Sequence, residues 1–491
     1  MTPTPNRWKT LDKDLGRISQ LESATAYVGR PMVATGIALA FIAVTALAAA
    51  VFFGTAPVNL VVVAAAAFGA YMAINIGAND VANNMGPAVG ANALTMGGAI
   101  AIAAISKSAG ALLAGGDVVS TISKGIIDPV SVQDTNVFIW AMMAALISSA
   151  LWVNLATWIG APVSTTHSVV GGVMGAGVVA AGTAAVNWPT VGAIAASWVV
   201  SPLLGGIVAA LFLALIKAQI IYQDDKIAAA RRWVPILVGI MAGTFTTYLA
   251  LKGLSRVLEI DLATALLIGA VSGVAVYAVT RPMIRARAKG MENRNKSIKT
   301  LFALPLVISA ALLSFAHGAN DVANAVGPLA AIVHAAQFGD FAERVSIPTW
   351  VMVIGAFGIS FGLFLFGPKL IRMVGSQITK LNPMRAYCVA LSAALTVIVA
   401  SWLGLPVSST HIAVGAVFGV GFFREWDTER RLKKNRVAVP DQPVLAPEER
   451  GRRKLVRRAH FMTIIAAWVI TVPAAALMSA AIFYGIRAFA G

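Results

Sequence analysis

Long apolar runs separated by short polar segments dominate the pattern of the chain. The run VATGIALAFIAVTALAAAVFF, residues 33–53, carries no charged side chain. As a helix it is long enough to cross about 30 Å of hydrocarbon. Because a segment in lipid must satisfy its backbone hydrogen bonds internally, such runs are read as helices. The pattern predicts an all-α polytopic membrane protein.

Similar runs recur along the whole chain, and several are too short, or too interrupted by Gly and Pro, to cross a bilayer alone. We therefore expect about twelve transmembrane helices, together with broken helices or helical hairpins. The apolar runs cover 33–53, 59–78, 86–114, 137–160, 163–185, 190–216, 233–252, 262–280, 300–317, 322–336, 348–367, 385–404, 406–422 and 461–487.

The composition agrees with this prediction. The chain has 491 residues, of which 58% are hydrophobic and 12% charged, whereas soluble proteins are nearer a quarter charged. Residues 1–30 are polar and the run at 33–53 exceeds a signal-peptide core, so we expect a retained helix and no cleaved signal. The single cysteine, Cys388, excludes an internal disulfide and is interpreted as a small core residue.

The net charge of +17 is distributed unevenly. Twelve of the 38 Lys and Arg residues lie in 423–458, seven lie in 281–299 and five precede residue 31. A soluble protein this basic would suggest nucleic acid as a partner. Here the basic residues are clustered between apolar runs, and the positive-inside rule places such clusters in the cytoplasm. We therefore do not expect nucleic acid as a partner. Contact of the segment 430–458 with anionic lipid is the alternative.

Two sequence motifs occur twice, in the same order. The GAND motif, GANDVANNMGPAVGA at 77–91, returns as GANDVANAVGPLAA at 318–331. The PVS motif, APVSTTHSVVGG at 161–172, returns as LPVSSTHIAVGA at 405–416. The offsets are 241 and 244 residues (318 − 77 and 405 − 161), so the spacing is nearly conserved. This indicates an internal duplication, which is typical of transporters whose substrate site lies where the repeats meet.

The GAND motifs each contribute one aspartate, Asp80 and Asp321, inside an otherwise apolar region. An ionised carboxylate in mid-membrane costs about 2.5–3.5 kcal/mol, which a bound cation or a proton would offset. Amide oxygens suit hard cations. The candidate amide ligands are Asn79, Asn83, Asn320 and Asn324. The alternative is that both aspartates lie in interfacial loops and cap the following helix.

Glycines and prolines in the GAND motifs predict a helix break after each aspartate. Breaks at membrane depth are tolerated where they line a cavity. The alternative is close helix packing through small residues. The residues concerned are Gly77, Gly86, Pro87, Gly318, Gly327 and Pro328.

The PVS motifs combine a proline with three hydroxyl residues. Pro162 and Pro406 are expected at the first position of a helix, where a missing N–H costs nothing. Hydroxyl and backbone N–H donors at a helix N-terminus form an anion site, so two such ends could face one small oxyanion. A plain capped helix start is the alternative. His167 and His411 are interpreted as packing residues outside the core site.

The motifs resemble the duplicated signatures of the inorganic phosphate transporter family, the secondary Na⁺- or H⁺-coupled phosphate symporters. Agreement extends over 59–487, with no Walker A loop, zinc spacing or nucleophile elbow that would indicate ATP-driven transport or an enzyme. Further matching stretches are STISKGIIDP (120–129), ASWVVSPLLGG (196–206), LTVIVASWLGLPVSSTH (395–411) and AWVITVPAAALMSAAI (467–482).

The resemblance implies a multi-pass protein of the plasma (inner) membrane, with about twelve helices in two inverted repeats. It implies uptake of inorganic phosphate by symport with Na⁺ or H⁺ and no cofactor, and leaves homo-oligomer formation open. By resemblance, the substrate-binding residues are Ser164, Thr165, Thr166, Ser408, Ser409 and Thr410, and the cation-binding residues are Asn79, Asp80, Asn83, Asn320, Asp321 and Asn324.

Two features depart from the family pattern. Many members carry a glutamate where this chain has Lys107, and the helix at 33–53 is an addition. Some members carry sulfate, so a permease for sulfate or another tetrahedral oxyanion is the alternative function. The less favoured classes are an ion channel, a receptor and a cation exchanger, and the last would leave the PVS motifs unexplained.

The chain is predicted to divide into seven parts. They are a cytoplasmic segment (1–32), an extra transmembrane helix (33–58), a first transport repeat (59–216), linking helices with a basic cytoplasmic loop (217–299), a second transport repeat (300–422), a basic cytoplasmic loop (423–460) and a C-terminal transmembrane helix (461–491).

Overall fold

A computed structural model describes residues 32–54, 57–128, 131–132, 134–159, 163–253, 258, 260–339, 347–377, 381–438 and 458–490. These residues form fifteen α-helices and no β-strand, as the sequence predicts. The helices are α1 (Met32–Phe53), α2 (Pro57–Gly90), α3 (Met96–Ala114), α4 (Gly116–Ser120), α5 (Thr135–Ile159), α6 (Thr165–Ala181), α7 (Trp188–Ile216), α8 (Lys226–Lys252), α9 (Leu262–Arg287), α10 (Asn295–Leu301), α11 (Ala303–Phe338), α12 (Thr349–Gln377), α13 (Pro383–Trp402), α14 (Ser409–Ala438) and α15 (Arg458–Ala490).

Among the described residues, eleven helices are long and apolar enough to cross a membrane. The shorter apolar helix α6 joins them in the interior. Two π-helical turns, Thr121–Gly125 and Lys217–Ile221, extend α4 and α7. The chain is therefore a multi-pass integral membrane protein, as the hydropathy pattern predicts.

The long helices α2 and α11 are among the more buried helices of the bundle. Within the most apolar stretch of each helix, 67% of the residues are buried in α11 but 11% in α9. Helix α2 packs against α12, and α11 packs against α3 and α13. Because α2 and α11 carry the GAND motifs, both aspartates lie deep in the protein.

The predicted helix break does not occur at the Gly–Pro positions of either GAND motif, although α2 ends at Gly90, within the first motif. Helix α2 continues through Pro87, and α11 continues through Pro328 for ten more residues. In a bundle of packed membrane helices, neighbouring groups compensate the backbone hydrogen bond that proline removes. The breaking tendency known from soluble helices therefore does not decide the structure here.

The alternative interpretation, close packing, is correct for the first glycine of each motif. A Cβ atom added to Gly77 would lie 1.9 Å from the backbone oxygen of Ile359 in α12. A Cβ atom on Gly318 would lie 2.1 Å from the backbone oxygen of Lys107 in α3. Small residues allow helix backbones to touch in this way. Both repeats thus use the same glycine for the same kind of helix crossing.

The basic segments at 281–299 and 423–460 are less loop-like than predicted. Residues 281–287 complete α9, residues 295–299 belong to α10, and residues 423–438 continue α14. Lysine and arginine are good helix formers, and cations are favourable in a last helical turn. The remaining basic residues at 1–31 and 439–457 lie outside the described residues, and the cytoplasmic position of all these segments stays a prediction.

Candidate functional site

Asp80 and Asp321 lie in the interior of α2 and α11, with 1% and 0% of their surface exposed. Each has several helical turns on both sides, so the alternative of a helix-capping loop aspartate is wrong. A buried carboxylate requires hydrogen bonds or a positive charge nearby. Its partners therefore define the site.

Asp80 receives hydrogen bonds from the PVS motifs of both repeats. The Thr165 hydroxyl donates to one carboxylate oxygen at 3.2 Å, and the Thr410 hydroxyl donates to the other at 3.2 Å. Thr165 opens α6 and Ser409, next to Thr410, opens α14. The starts of these two helices therefore meet at a single carboxylate.

Two asparagines connect the repeats in a reciprocal manner. Asn83, in the first repeat, donates its amide to the Thr410 hydroxyl of the second at 2.9 Å. Asn324, in the second repeat, has its amide nitrogen 3.3 Å from Thr165 Oγ1 and 3.2 Å from Thr166 Oγ1 in the first. Each GAND motif thus holds the PVS motif of the other repeat.

Asp321 has a different environment from Asp80. The Ser409 hydroxyl donates to its Oδ2 at 3.3 Å, while its Oδ1 has no hydrogen-bond partner in the described part of the chain. Both carboxylates are fully buried and interact electrostatically. The two aspartates are therefore equivalent in sequence but not in hydrogen bonding.

Asn79 and Asn320 each bond the end of the helix that precedes a PVS motif. Asn79 donates to Thr157 Oγ1 at 3.1 Å near the end of α5, and Asn320 donates to Ser401 Oγ at 3.1 Å near the end of α13. Thr157 and Ser401 are related by the offset of the PVS motifs (401 − 157 = 244). Sequence reasoning missed these two residues, although extending the repeat alignment by a few positions would have identified them.

The first serine of each PVS motif caps a helix. Ser164 Oγ accepts from the backbone N–H of His167 at 3.2 Å, and Ser408 Oγ accepts from that of His411 at 3.3 Å. The capped-start alternative is therefore correct for these two hydroxyls. The neighbouring Thr165, Ser409 and Thr410 donate to carboxylates instead. Each PVS motif thus has one hydroxyl that caps a helix and at least one that bonds an aspartate.

Pro406 does not occupy the predicted first helical position. Helix α14 begins three residues after Pro406, and Pro162 lies outside the described residues. The carbonyl of Pro406 accepts from the Trp198 indole N–H at 3.0 Å, and the Val407 carbonyl accepts from the Thr166 hydroxyl at 3.0 Å. The second motif is thus held in an extended segment that leads into the helix.

The two histidines pack together behind the hydroxyl groups. The His167 and His411 rings have centroids 4.5 Å apart, and the Trp198 ring lies 3.7 Å from that of His167. All three positions sit around the starts of α6 and α14. This arrangement is consistent with the packing role predicted from the sequence.

Several buried polar atoms in this region lack a hydrogen-bond partner among the described residues. Since buried polar atoms are almost always paired, these atoms are candidates for contact with a bound ligand or an ordered water. Carboxylate and amide oxygens are the ligand types that a small hard cation prefers. The unpaired atoms belong to Asn84 (both amide atoms), Lys107 (Nζ), His317 (both ring nitrogens), Asp321 (Oδ1) and Asn324 (Oδ1).

Comparison with known proteins identifies the family of the chain. A family model described as the phosphate transporter family matches residues 76–479. A protein of Helicobacter pylori (strain 26695) that carries the provisional name phosphate permease is 44% identical, over 96% of this chain and 98% of its own. The chloroplastic inorganic phosphate transporter 2-1 of Arabidopsis thaliana is 35% identical, over 84% of this chain and 70% of its own.

One solved structure is similar over nearly its full length. It is titled the sodium-dependent phosphate transporter, and it matches with a TM-score of 0.78 and 34% identity over 87% of this chain and 99% of that one. These matches identify a membrane transporter rather than an enzyme. The chain belongs to the phosphate transporter family.

Proposed function

We propose that this protein takes up inorganic phosphate across the plasma (inner) membrane by symport with a monovalent cation, Na⁺ or H⁺. One observation carries the proposal: Asp80 accepts hydroxyl hydrogen bonds from the PVS motifs of both repeats. The anion-binding hydroxyls and the cation-binding carboxylate are therefore in direct contact. The names of the relatives favour phosphate over sulfate as the anion.

The direct contact supplies a mechanism of coupling. Phosphate at neutral pH carries between one and two negative charges, and two ionised aspartates nearby repel it. While Asp80 is ionised, it also holds the hydroxyl protons of Thr165 and Thr410. A cation or proton on the carboxylate removes the repulsion and releases both donors to phosphate oxygens. Cation and anion should therefore raise each other's affinity by the same factor.

Na⁺ is the first candidate for the coupling cation. The carboxylate, amide and hydroxyl oxygens of the site suit a hard cation. The similar solved structure is titled as sodium-dependent. Protonation is the second way to neutralise a buried aspartate, so H⁺ is the alternative that the transport experiment must separate.

The relation between the two repeats supports transport by alternating access. We infer that they have inverted topologies and that the site between them opens to one side at a time. Two observations support this arrangement. Gly77 and Gly318 make matched backbone contacts, and each GAND motif bonds the PVS motif of the other repeat.

Uptake of labelled phosphate into proteoliposomes tests the proposal. The Na⁺ and H⁺ gradients are varied separately, and sulfate and arsenate compete as unlabelled anions. We expect uptake to follow one of the two cation gradients, with arsenate competing and sulfate not. Uptake that ignores both gradients, or that sulfate inhibits better than phosphate does, would show that the proposed symport is wrong.

Site variants localise the two ligands. Asp80→Asn and Asp321→Asn should each lose or flatten the cation dependence, because each removes one buried charge. Thr165→Ala and Ser409→Ala should each weaken phosphate affinity by about 1.5–3 kcal/mol, the value of a hydrogen bond to a charged group. Thr244→Ala is the matched control, since its exposed hydroxyl bonds only the Ile240 carbonyl. If the phosphate concentration at half-maximal uptake is unchanged in both hydroxyl variants, the PVS motifs serve as helix caps and do not bind phosphate.

A further inference from the structure

Lys107 is the one Lys or Arg in the fully buried class among the residues whose burial the structure describes. Among the residues whose burial the structure describes, Asp80, Asp321 and Lys107 are the charged side chains in the fully buried class. The Lys107 ammonium has no hydrogen-bond partner among the described residues. A buried ammonium is costly unless a negative charge compensates it. Lys107 therefore requires a negative charge nearby, and the two carboxylates are the candidates.

The crossing of α3 and α11 places Lys107 beside the site. The backbone oxygen of Lys107 lies where a side chain on Gly318 would begin, at 2.1 Å from the ideal Cβ position. Asp321 follows Gly318 by three residues, on the same face of α11. Lys107 lies close enough for its charge to act on both Asp80 and Asp321, although its ammonium forms no direct hydrogen bond with either carboxylate. The two carboxylates thus provide its compensating charge.

The second repeat has no charge at the corresponding position. Gly77 contacts the backbone of Ile359 in the way that Gly318 contacts that of Lys107. The following residues, Ser108 and Ser360, meet each other with their hydroxyl oxygens 2.6 Å apart. Because Gly77 and Gly318 are equivalent positions of the two repeats, their matched contacts make Ile359 the counterpart of Lys107.

We propose that Lys107 is a tethered cation that replaces one of the cations the two aspartates would otherwise require. Two carboxylates and one ammonium leave one net negative charge, so a single monovalent cation neutralises the site before phosphate enters. This inference rests on the proposed symport. Lys107 acts here as a positioning residue that sets the number of transported cations.

The first test is the charge moved per phosphate, which does not depend on whether Na⁺ or H⁺ couples. Phosphate accumulation is measured in proteoliposomes at a series of imposed potassium diffusion potentials. The proteins are wild type, Lys107→Met, which removes the charge at similar volume, and Lys107→Arg, which retains it. In Lys107→Met we expect one more positive charge moved per phosphate and a steeper dependence on cation concentration. Lys107→Arg should keep the wild-type charge per phosphate and cation dependence.

Two results would overturn the inference. One is an unchanged charge per phosphate in an active Lys107→Met variant, which would make the lysine structural. The other is a loss of phosphate affinity with unchanged charge movement, which would make it a direct phosphate ligand. Wild-type uptake that follows neither cation gradient would instead contradict the proposed symport.

A second measurement applies even if Lys107→Met does not transport. Thermal unfolding of the purified full-length protein is followed in sodium and in choline buffers. Lys107→Met leaves two buried negative charges and should unfold at a lower temperature than wild type. The double variant Lys107→Met with Asp321→Asn has one net negative charge again and should recover part of that loss. A double variant that is less stable than the single one would exclude charge compensation.

Discussion

Replacing Gly318 by alanine should damage the site through the backbone of α3. The ideal Cβ atom would lie 2.1 Å from the Lys107 oxygen, and real Cβ atoms do not approach closer than 3.0 Å, so α3 and α11 must separate by about 0.9 Å. The obstacle is backbone, which cannot rotate away. Overpacking of this kind costs about 1–3 kcal/mol, and the gap removes attractive contacts along the interface.

The matched control is Gly36→Ala in α1. No atom lies within 4 Å of the Cβ position of Gly36, so alanine there should stabilise the helix by about 0.5–1 kcal/mol. The two alanine variants should therefore differ by about 1.5–4 kcal/mol, with opposite signs relative to wild type. The free energy is measured by reversible unfolding in mixed micelles containing dodecyl sulfate, followed by circular dichroism.

Phosphate uptake provides a second readout of the same change. Because Lys107 and Asp321 lie on the two helices that must separate, Gly318→Ala should reduce uptake more than Gly36→Ala does. If Gly318→Ala is as stable and as active as Gly36→Ala, then α3 and α11 do not touch at this point and the described crossing is wrong.

Three further predictions concern other parts of the molecule. In a cysteine-free background, Pro440→Cys should resist a membrane-impermeant thiol reagent applied outside intact cells; labelling would contradict the cytoplasmic position of 423–460. Although burial alone would raise the pKa of Asp427, hydrogen bonds and charge from Lys217 at 2.7 Å hold it below its ordinary value. Asp427→Asn should therefore cost about 1.5–3 kcal/mol in free energy of unfolding at pH 7, and the difference from wild type should vanish as the pH falls through the lowered folded-state pKa; a pH-independent difference would refute this. Thr410→Val keeps the shape but removes a donor to Asp80, so half-saturation for phosphate should rise about tenfold or more, and an unchanged value would contradict the site.

The duplicated motifs predicted which polar residues lie together, because repeat order is a strong constraint. The sequence brought Asp80, Asp321 and the hydroxyl residues into one hypothesis, and the structure places them in one network. It could not predict that Asn83 bonds the second repeat rather than its own, since offsets describe similarity and not contact. Nor could it predict the direction of the Lys107 side chain, which depends on how α3 crosses α11.

The predicted helix breaks failed for one physical reason. Pro87 and Pro328 were expected to break helices because proline and glycine do so where water competes for the backbone. Inside a membrane bundle, an unpaired backbone group costs several kcal/mol, which favours the helix even at an unfavourable residue. Packing against α12 and α3 then uses Gly77 and Gly318 for contact instead of for a break.

Hydrogen bonds from the GAND motif of each repeat to the PVS motif of the other restrict the relative movement of the two repeats. Asn83 holds Thr410, and Asn324 holds Thr166, so neither repeat can move against the other without breaking both bonds. Thr165 and Thr410 also share the carboxylate of Asp80. A cation on that carboxylate weakens two of these ties together, and a bound phosphate can replace them. We therefore expect the doubly occupied site, rather than either ligand alone, to permit the movement of one repeat past the other, which is the condition for symport without leakage.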